Sequence, residues 1–179
     1  MLYDKIPLER IGVLIGQDGK VKEMVEKRCG TKILVDSSTG EVTIDETRAK
    51  DPVNALKARD FVKAVGRGFS EERAMRLFDD DCYLEIIDIR EFTGKSKNRM
   101  QQVRGRLIGH RGKTRRIIEE LTGSDLSVYG NTVSIIGDTL QLDVAKRAVM
   151  MVLEGSEHST VYRFLERKRA ELRISEMGF

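Results

Sequence analysis

Two short glycine-bounded loops hold the residue types whose chemistry is clearest from the sequence. Residues 11–20 read Ile-Gly-Val-Leu-Ile-Gly-Gln-Asp-Gly-Lys, and residues 104–113 read Arg-Gly-Arg-Leu-Ile-Gly-His-Arg-Gly-Lys. In each copy a Gly-x-x-Gly, here called loop 1 (16–19) and loop 2 (109–112), separates two helical patterns. Backbone N–H groups and the dipole of the second helix favour an anion at the loop. Glycine removes side chains that would keep a sugar-phosphate backbone away, so both loops predict phosphate contact.

The two loops differ in charge. From Lys95 to Arg116 the sequence has nine basic residues and no acidic residue, whereas Leu2 to Glu23 has four of each. Such a one-sided field attracts a polyanion. A solvated helix face is the alternative explanation of a charge run, but solvated faces usually alternate signs. In loop 1, Asp18 places a carboxylate where a phosphate would sit. We therefore expect loop 2 to be the principal site and loop 1 a weaker one.

Composition limits the classes of protein to which the chain can belong. A length of 179 residues and a long internal repeat favour two small domains over one large domain. The 34% charged fraction argues against a membrane protein, as does the absence of any apolar run near the roughly 18 residues that span a bilayer. We expect no signal peptide, and the isolated Cys29 and Cys82 predict neither a disulfide framework nor a zinc site. These features indicate a cytoplasmic protein without a cofactor.

The repeat extends into the elements that must position the loops. Gly30 and Gly123 stand where the helix after each loop should end. A strand opens each copy, a hairpin follows the glycine, and a longer amphipathic helix closes the copy. The ranges are 2–6, 31–35, 41–44 and 52–65 in the first copy and 82–89, 125–128, 132–136 and 140–153 in the second.

Each copy therefore reads β-α-loop-α-β-β-α, which predicts an α+β fold with a three-stranded sheet packed on three helices. The expected domains are 1–68 and 82–155, with a linker containing a short helix over 69–81 and a C-terminal helix over 156–179. In the C-terminal helix, helical spacing predicts an apolar stripe of Val161, Phe164, Leu165 and Leu172.

Patterns typical of enzymes do not fit this sequence. Gly112-Lys113-Thr114 resembles the end of a P-loop, but Leu107 stands where the first glycine of a P-loop would be. The glycines of the first copy lack the spacing of a dinucleotide-binding fingerprint. The sequence offers no candidate partner residues with which His110 could carry out acid–base catalysis. The acidic run 79–81 is interpreted as part of a linker. We expect a protein that is not an enzyme.

Together these motifs resemble tandem KH-domain proteins. The telling residues are Gly105-Arg-Leu-Ile-Gly-His-Arg-Gly-Lys-Thr114, Leu121-Thr-Gly123, Val133-Ser-Ile-Ile-Gly137 and Val161-Tyr162. The resemblance is to an archaeal group related to two eukaryotic small-subunit assembly factors, the partner of the Nob endonuclease and the KRR-type processome component. It implies two type I KH domains that bind single-stranded RNA at or near the 3′ end of small-subunit ribosomal RNA during ribosome maturation. Implied protein partners are a ribosome-assembly endonuclease or translation-initiation proteins.

The resemblance also implies an apolar floor for the bases beside loop 2, with Ile118 and Leu126 among its candidates. The expected RNA contacts at loop 2 are Arg106, Leu107, Ile108, Gly109, His110, Arg111, Gly112, Lys113, Thr114, Arg115, Arg116 and Val128. The weaker contacts at loop 1 are Ile15, Gly16, Gln17, Asp18, Gly19, Lys20 and Lys22. Generic KH modules have an apolar residue where Lys22 and Arg115 stand, and in this respect the sequence is similar to the ribosome-assembly branch.

Two other functions stay open at this level. The near-neutral first copy and the acidic linker are compatible with a protein-docking platform. The KH modules would also suit a general regulator of RNA or mRNA that is not specific to the ribosome.

Overall fold

The structure is a computed structural model and describes residues 1–178. The chain forms two compact units, Met1–Asp80 and Asp81–Phe179, here called unit 1 and unit 2. Each unit has the predicted order of strands and helices around its glycine loop. Within the described residues, no helix is both long and apolar enough to cross a membrane.

Unit 1 opens with a strand and closes with its longest helix. Its elements are β1 (Leu2–Lys5), α1 (Ile11–Ile15), α2 (Lys20–Cys29), β2 (Lys32–Val35), β3 (Glu41–Asp45), α3 (Pro52–Gly66) and α4 (Glu71–Ala74). Gly30 ends α2 in the left-handed conformation, as the sequence predicts. Asp51 caps α3 by accepting a hydrogen bond from the backbone N–H of Val53.

Unit 2 repeats this order with a longer first helix and an additional last helix. Its elements are β4 (Tyr83–Asp88), α5 (Arg90–Thr93), α6 (Lys97–Ile108), α7 (Lys113–Thr122), β5 (Asp125–Tyr129), β6 (Thr132–Gly137), α8 (Thr139–Leu153) and α9 (His158–Glu176). Gly123 ends α7 in the left-handed conformation. A capping box between Asp138 and Gln141 fixes the start of α8.

Both units contain a three-stranded antiparallel sheet whose last strand lies in the middle. The strand orders are β1-β3-β2 in unit 1 and β4-β6-β5 in unit 2. In unit 1, Thr43 pairs with Tyr3 on one side and with Leu34 on the other. In unit 2, Ile135 pairs with Glu85 and Leu126. The predicted α+β fold with two predicted hairpins is therefore confirmed.

The core of unit 2 includes residues of α9. Leu107, Ile118 and Leu126 are at most 1% exposed and belong to the same apolar cluster as Val161, Leu165 and Leu172 of α9. Phe164 is half-buried and packs against that cluster. The predicted apolar stripe thus fixes α9 to α7 and α8, and removing α9 would uncover part of the core of unit 2.

The segment predicted as a linker packs against unit 1. Its helix α4 begins at Ser70, whose hydroxyl accepts a hydrogen bond from the backbone N–H of Arg73. Phe69 and Phe78 are buried, and the Phe78 ring stacks on Phe61 with centroids 5.4 Å apart. Residues 69–80 therefore extend unit 1 beyond α3.

Candidate nucleic-acid interface

Loop 2 joins α6 to α7 through a backbone that three residues hold at positive φ. These are Gly109 (φ 76°, ψ 174°), Arg111 (53°, 32°) and Gly112 (76°, 15°). A Cβ atom on Gly109 would lie 2.6 Å from the backbone nitrogen of Thr114, so only glycine fits there. A Cβ atom on Gly112 would meet only the end of Arg115, at 3.8 Å. The outer side of the loop is therefore open to a ligand.

Loop 1 has the same backbone conformation as loop 2. Gly16 (φ 74°, ψ 175°), Asp18 (56°, 27°) and Gly19 (72°, 12°) match their counterparts in loop 2 to within 5°. A Cβ atom on Gly16 would lie 2.9 Å from the backbone nitrogen of Val21. The sequence repeat is therefore also a repeat of backbone geometry, and the loops differ mainly in their side chains.

The start of α7 is arranged to meet an anion. Gly112 is its N-cap residue, and no side chain within the described part of the chain caps this helix end. By contrast, Ser96 caps α6 and Asp138 caps α8 through side-chain oxygens. Uncapped N–H groups and the positive end of the helix dipole favour a phosphate oxygen at this position.

Exposed basic side chains surround loop 2. His110, Arg111, Lys113 and Arg116 are all exposed. Arg116 donates a hydrogen bond from Nη2 to the carbonyl oxygen of Arg111 at 3.2 Å, which holds its guanidinium beside the loop. Arg111 keeps a left-handed conformation that costs a non-glycine residue about 1–2 kcal/mol. Strain of this kind is frequent in binding loops.

Two of the predicted contacts have structural partners instead. Arg106 donates hydrogen bonds to the carbonyl oxygens of Val152, at 3.0 Å, and Ser156. Arg115 forms a salt bridge with Glu119 at 3.0 Å, and that carboxylate also accepts the N–H of Leu126 at 3.2 Å. The partners of Arg106 lie on a segment that only folding brings close to it, whereas Glu119 stands four residues after Arg115 on the same helix, α7.

The field around loop 1 is weaker, as the sequence predicts. Gln17, Asp18 and Lys20 are exposed. Lys22 forms a salt bridge with Glu26 at 3.1 Å, which offsets its charge. Of the two lysines predicted to contact RNA at loop 1, only Lys20 is therefore left to balance the exposed carboxylate of Asp18.

The expected apolar floor divides into a buried part and an accessible part. Leu107, Ile118 and Leu126 are at most 1% exposed, so their side chains belong to the core beneath the loop and are not available to a base. Ile108 and Val128 are half-buried and are left as the accessible apolar residues. Ile15 occupies the position in unit 1 that Ile108 occupies in unit 2.

Helix α9 supports loop 2 from beneath, through contacts that sequence reasoning missed. Thr114 is 1% exposed, and its Oγ1 shares a hydrogen bond of 2.9 Å with the hydroxyl of Tyr162. Tyr162 stacks on His158, with ring centroids 5.9 Å apart. His158 Nε2 lies 2.9 Å from the carbonyl oxygen of Arg106, one turn before the loop. Thr114 is therefore a buried support for Gly109 and not an exposed RNA contact.

The only sequence signal for this support is a pair of hydrogen-bonding aromatic residues on one face of α9. His158 and Tyr162 are four residues apart, a spacing that places them side by side on a helix.

Among the described residues, the structure contains no group of three or more His, Cys, Asp or Glu side chains placed to hold a metal ion.

Both units match known KH-domain families. Residues 83–170 match the family described as the eukaryotic type KH-domain (KH-domain type I), and residues 10–80 match the Krr1 KH1 domain. These matches confirm the predicted fold of two KH domains in tandem.

Relatives from other organisms match nearly the whole of this chain. A KH domain-containing protein of Methanocaldococcus jannaschii is 48% identical over 170 residues, which cover 94% of this chain and 74% of the relative. The RNA-binding protein pno1 of Dictyostelium discoideum is 27% identical over 173 residues, which cover 96% of this chain and 72% of the relative. The crystal structure of an a/eIF2alpha–aDim2p–rRNA complex from Pyrococcus horikoshii matches at 49% identity with a TM-score of 0.88, covering 96% of this chain and 94% of that chain. The chain therefore belongs to the family of tandem KH-domain proteins that includes archaeal Dim2p and eukaryotic pno1.

Proposed function

We propose that the protein binds single-stranded RNA at or near the 3′ end of small-subunit ribosomal RNA during ribosome maturation, with loop 2 as its main site. The observation that carries this proposal is an uncapped helix start at Gly112 ringed by the exposed cations of Arg111, Lys113 and Arg116. KH domains use such loops to clamp the backbone of about four nucleotides. The protein acts by binding, and no catalytic step is required.

The ribosomal part of the proposal is supported by the relatives. The neighbouring Dim2p structure is a complex with rRNA and the translation factor a/eIF2alpha. A translation-initiation factor is accordingly the protein partner that we propose first, and a ribosome-assembly endonuclease the second. A regulator of other RNAs would instead bind unrelated strands equally well.

The two loops provide their own matched test. Asp18 adopts in loop 1 the dihedral angles that Arg111 adopts in loop 2. The two residues between the glycines of one loop can therefore be placed in the other loop without new backbone strain. The variant His110→Gln with Arg111→Asp gives loop 2 the two residues that loop 1 has between its glycines. We expect it to weaken binding about tenfold or more, because removing one phosphate interaction of ~1.4 kcal/mol changes affinity by a factor of ten.

The measurement is fluorescence anisotropy with a labelled RNA that carries the 3′-terminal small-subunit sequence, beside a scrambled strand. The matched control is Gln17→Asn, an exposed change in loop 1 that keeps its charge. Equal affinities for wild type and the loop 2 variant would contradict the proposal that loop 2 is the main site. Equal affinities for the two RNAs would contradict the ribosomal assignment only.

A second candidate function for unit 1 is supported by an exposed apolar row on its sheet. Tyr3 and Leu34 are 65% and 54% exposed, and both pair with Thr43 of the central strand. Exposed apolar residues on one face of a sheet are typical of protein-binding surfaces. If unit 1 is a docking platform, Tyr3→Lys with Leu34→Lys should weaken capture of the translation factor and leave RNA affinity unchanged. Loss of RNA affinity alone would count against docking.

A further inference from the structure

A basic depression lies at the end of α6 that is remote from loop 2. Its volume is about 470 Å³, and we call it the α6 pocket. The lining residues used below are Arg90, Lys95, Lys97, Gln101, Arg104 and Asn131. Of the described residues that line it, none is acidic. A concave surface with charges of one sign attracts a ligand of the opposite sign.

Most of the positive charge in the α6 pocket is uncompensated. Lys95 and Lys97 are exposed, and within residues 1–178 neither forms an ion pair. Arg90 differs, because its Nε and Nη2 donate to the two carboxylate oxygens of Asp88 at 3.0 and 2.7 Å. These hydrogen bonds hold the pKa of Asp88 below its usual value, so the pair stays ionised and adds little net charge. The pocket therefore keeps the charges of the two lysines and Arg104.

Arg104 carries a buried donor that has no partner. Its side chain is half-buried, and its Nε has no hydrogen-bond acceptor within the described part of the chain. A buried donor left unpaired costs about 1–3 kcal/mol. An anion in the pocket would place an acceptor beside this guanidinium, and a phosphate oxygen has the geometry that guanidinium groups prefer.

The α6 pocket and loop 2 lie on one face of the same helix. Lys97, Gln101, Arg104 and Ile108 are four, three and four residues apart, which places them in one row along α6. Ile108 is the residue directly before Gly109. A helix of 12 residues is about 18 Å long, so the two ends of this row are several nucleotides apart.

Unit 1 has no counterpart of this row. Its first helix, α1, has 5 residues and corresponds by the repeat to residues 104–108. A single 3₁₀ turn, Leu8–Arg10, precedes α1 and corresponds to residues 101–103. The first turn of α6, which supplies Lys97 to the pocket, is therefore specific to unit 2.

We propose that the α6 pocket binds a backbone phosphate of the same RNA strand that loop 2 holds, several nucleotides away. This inference rests on the proposed function of loop 2. The two sites together would define a footprint longer than the four nucleotides that a KH loop clamps by itself. A phosphate contact distinguishes no base, so it lengthens the bound strand without adding sequence preference.

The test compares short and long RNA with the full chain. The probes are fluorescein-labelled RNA pools of random sequence, 5 or 12 nucleotides long, and the readout is anisotropy as a function of salt. The variant is Lys95→Glu with Lys97→Glu, two exposed changes that leave the core intact. A control with the same change in net charge is Arg167→Glu with Arg173→Glu, on exposed positions of α9.

We expect the pocket variant to bind the 12-nucleotide pool about tenfold more weakly, with a log–log salt slope lower by about 0.7 for each phosphate that is no longer neutralised. Its affinity for the 5-nucleotide pool should match that of wild type. Equal losses for both lengths, or a similar loss in the α9 control, would overturn the inference. If the loop 2 variant binds both pools as tightly as wild type, the proposed function of loop 2 is wrong. If the loop 2 variant binds weakly but the pocket variant binds both pools as tightly as wild type, loop 2 remains the RNA site and the inference about the α6 pocket is wrong.

Discussion

Removing the hydroxyl of Tyr162 on α9 should destabilise loop 2, although Tyr162 is not part of the loop. In Tyr162→Phe, the Thr114 hydroxyl loses the partner that lies 2.9 Å away while staying 1% exposed. A buried hydroxyl without a partner costs about 1–3 kcal/mol. The complementary change, Thr114→Val, removes the buried hydroxyl instead, and unit 1 already has Val21 at the same position. We expect it to cost less, because the half-buried Tyr162 hydroxyl can turn to water.

The double variant separates the hydrogen bond from other effects. With both hydroxyls absent, no buried hydroxyl is left without a partner. The free energy of unfolding of the double variant should therefore be about 1 kcal/mol higher than the sum of the two single changes predicts. The assay is native-state hydrogen exchange of α7 amides followed by mass spectrometry, which reports on unit 2 even if the two units unfold separately. For Tyr162→Phe, exchange should accelerate by about 5- to 150-fold, since 1.4 kcal/mol is a factor of ten.

Two results would refute this reasoning. Strict additivity of the single changes would show that Thr114 and Tyr162 are not coupled. Exchange in α7 that is unchanged by Tyr162→Phe would show that Thr114 finds another partner and that α9 does not support the loop. Exchange of α2 amides in unit 1 is the internal control and should be the same in all four proteins.

Three further predictions concern single positions. Gly109→Ala should destabilise unit 2 by more than about 2 kcal/mol, whereas Gly112→Ala, with open space around it, should cost about 1 kcal/mol in thermal unfolding. Burial raises the pKa of Asp60, so the Asp60 carboxyl binds a proton more tightly in the folded protein than in the unfolded chain. The stability of unit 1 therefore falls as the pH rises above the pKa that Asp60 has in the unfolded chain. Asp60→Asn should therefore raise the melting temperature at pH 7 and give no gain at pH 3. Burial also raises the pKa of the Cys29 thiol, so at pH 8 iodoacetamide should modify the half-buried Cys82 first, as peptide mapping would show.

The elements of the fold and both loops follow from local sequence patterns. Gly30 and Gly123 mark the ends of α2 and α7, and the repeat places loop 1 and loop 2 in the same conformation. These features depend on backbone preferences of a few adjacent residues, which a sequence displays directly.

The partners of individual side chains in the site could not be predicted in the same way. Arg106 reads as an RNA contact beside loop 2, yet its guanidinium donates to the carbonyl oxygen of Val152 near the end of α8, 46 residues away in sequence. Leu107 reads as part of the base floor, yet it is completely buried. Both outcomes depend on which elements folding brings together, and spacing along one helix does not contain that information.

The support of loop 2 by α9 also has a consequence for synthesis of the chain. Thr114 and its partner Tyr162 are 48 residues apart, and α9 follows every other element of unit 2. At 5–20 residues per second, a ribosome needs about 2 to 10 s to add that stretch. During this interval the nascent chain already contains the glycines and basic residues of loop 2 but lacks α9, the helix that supports the loop. Loop 2 therefore becomes competent only once α9 has been synthesised, and not gradually as the earlier elements of unit 2 emerge.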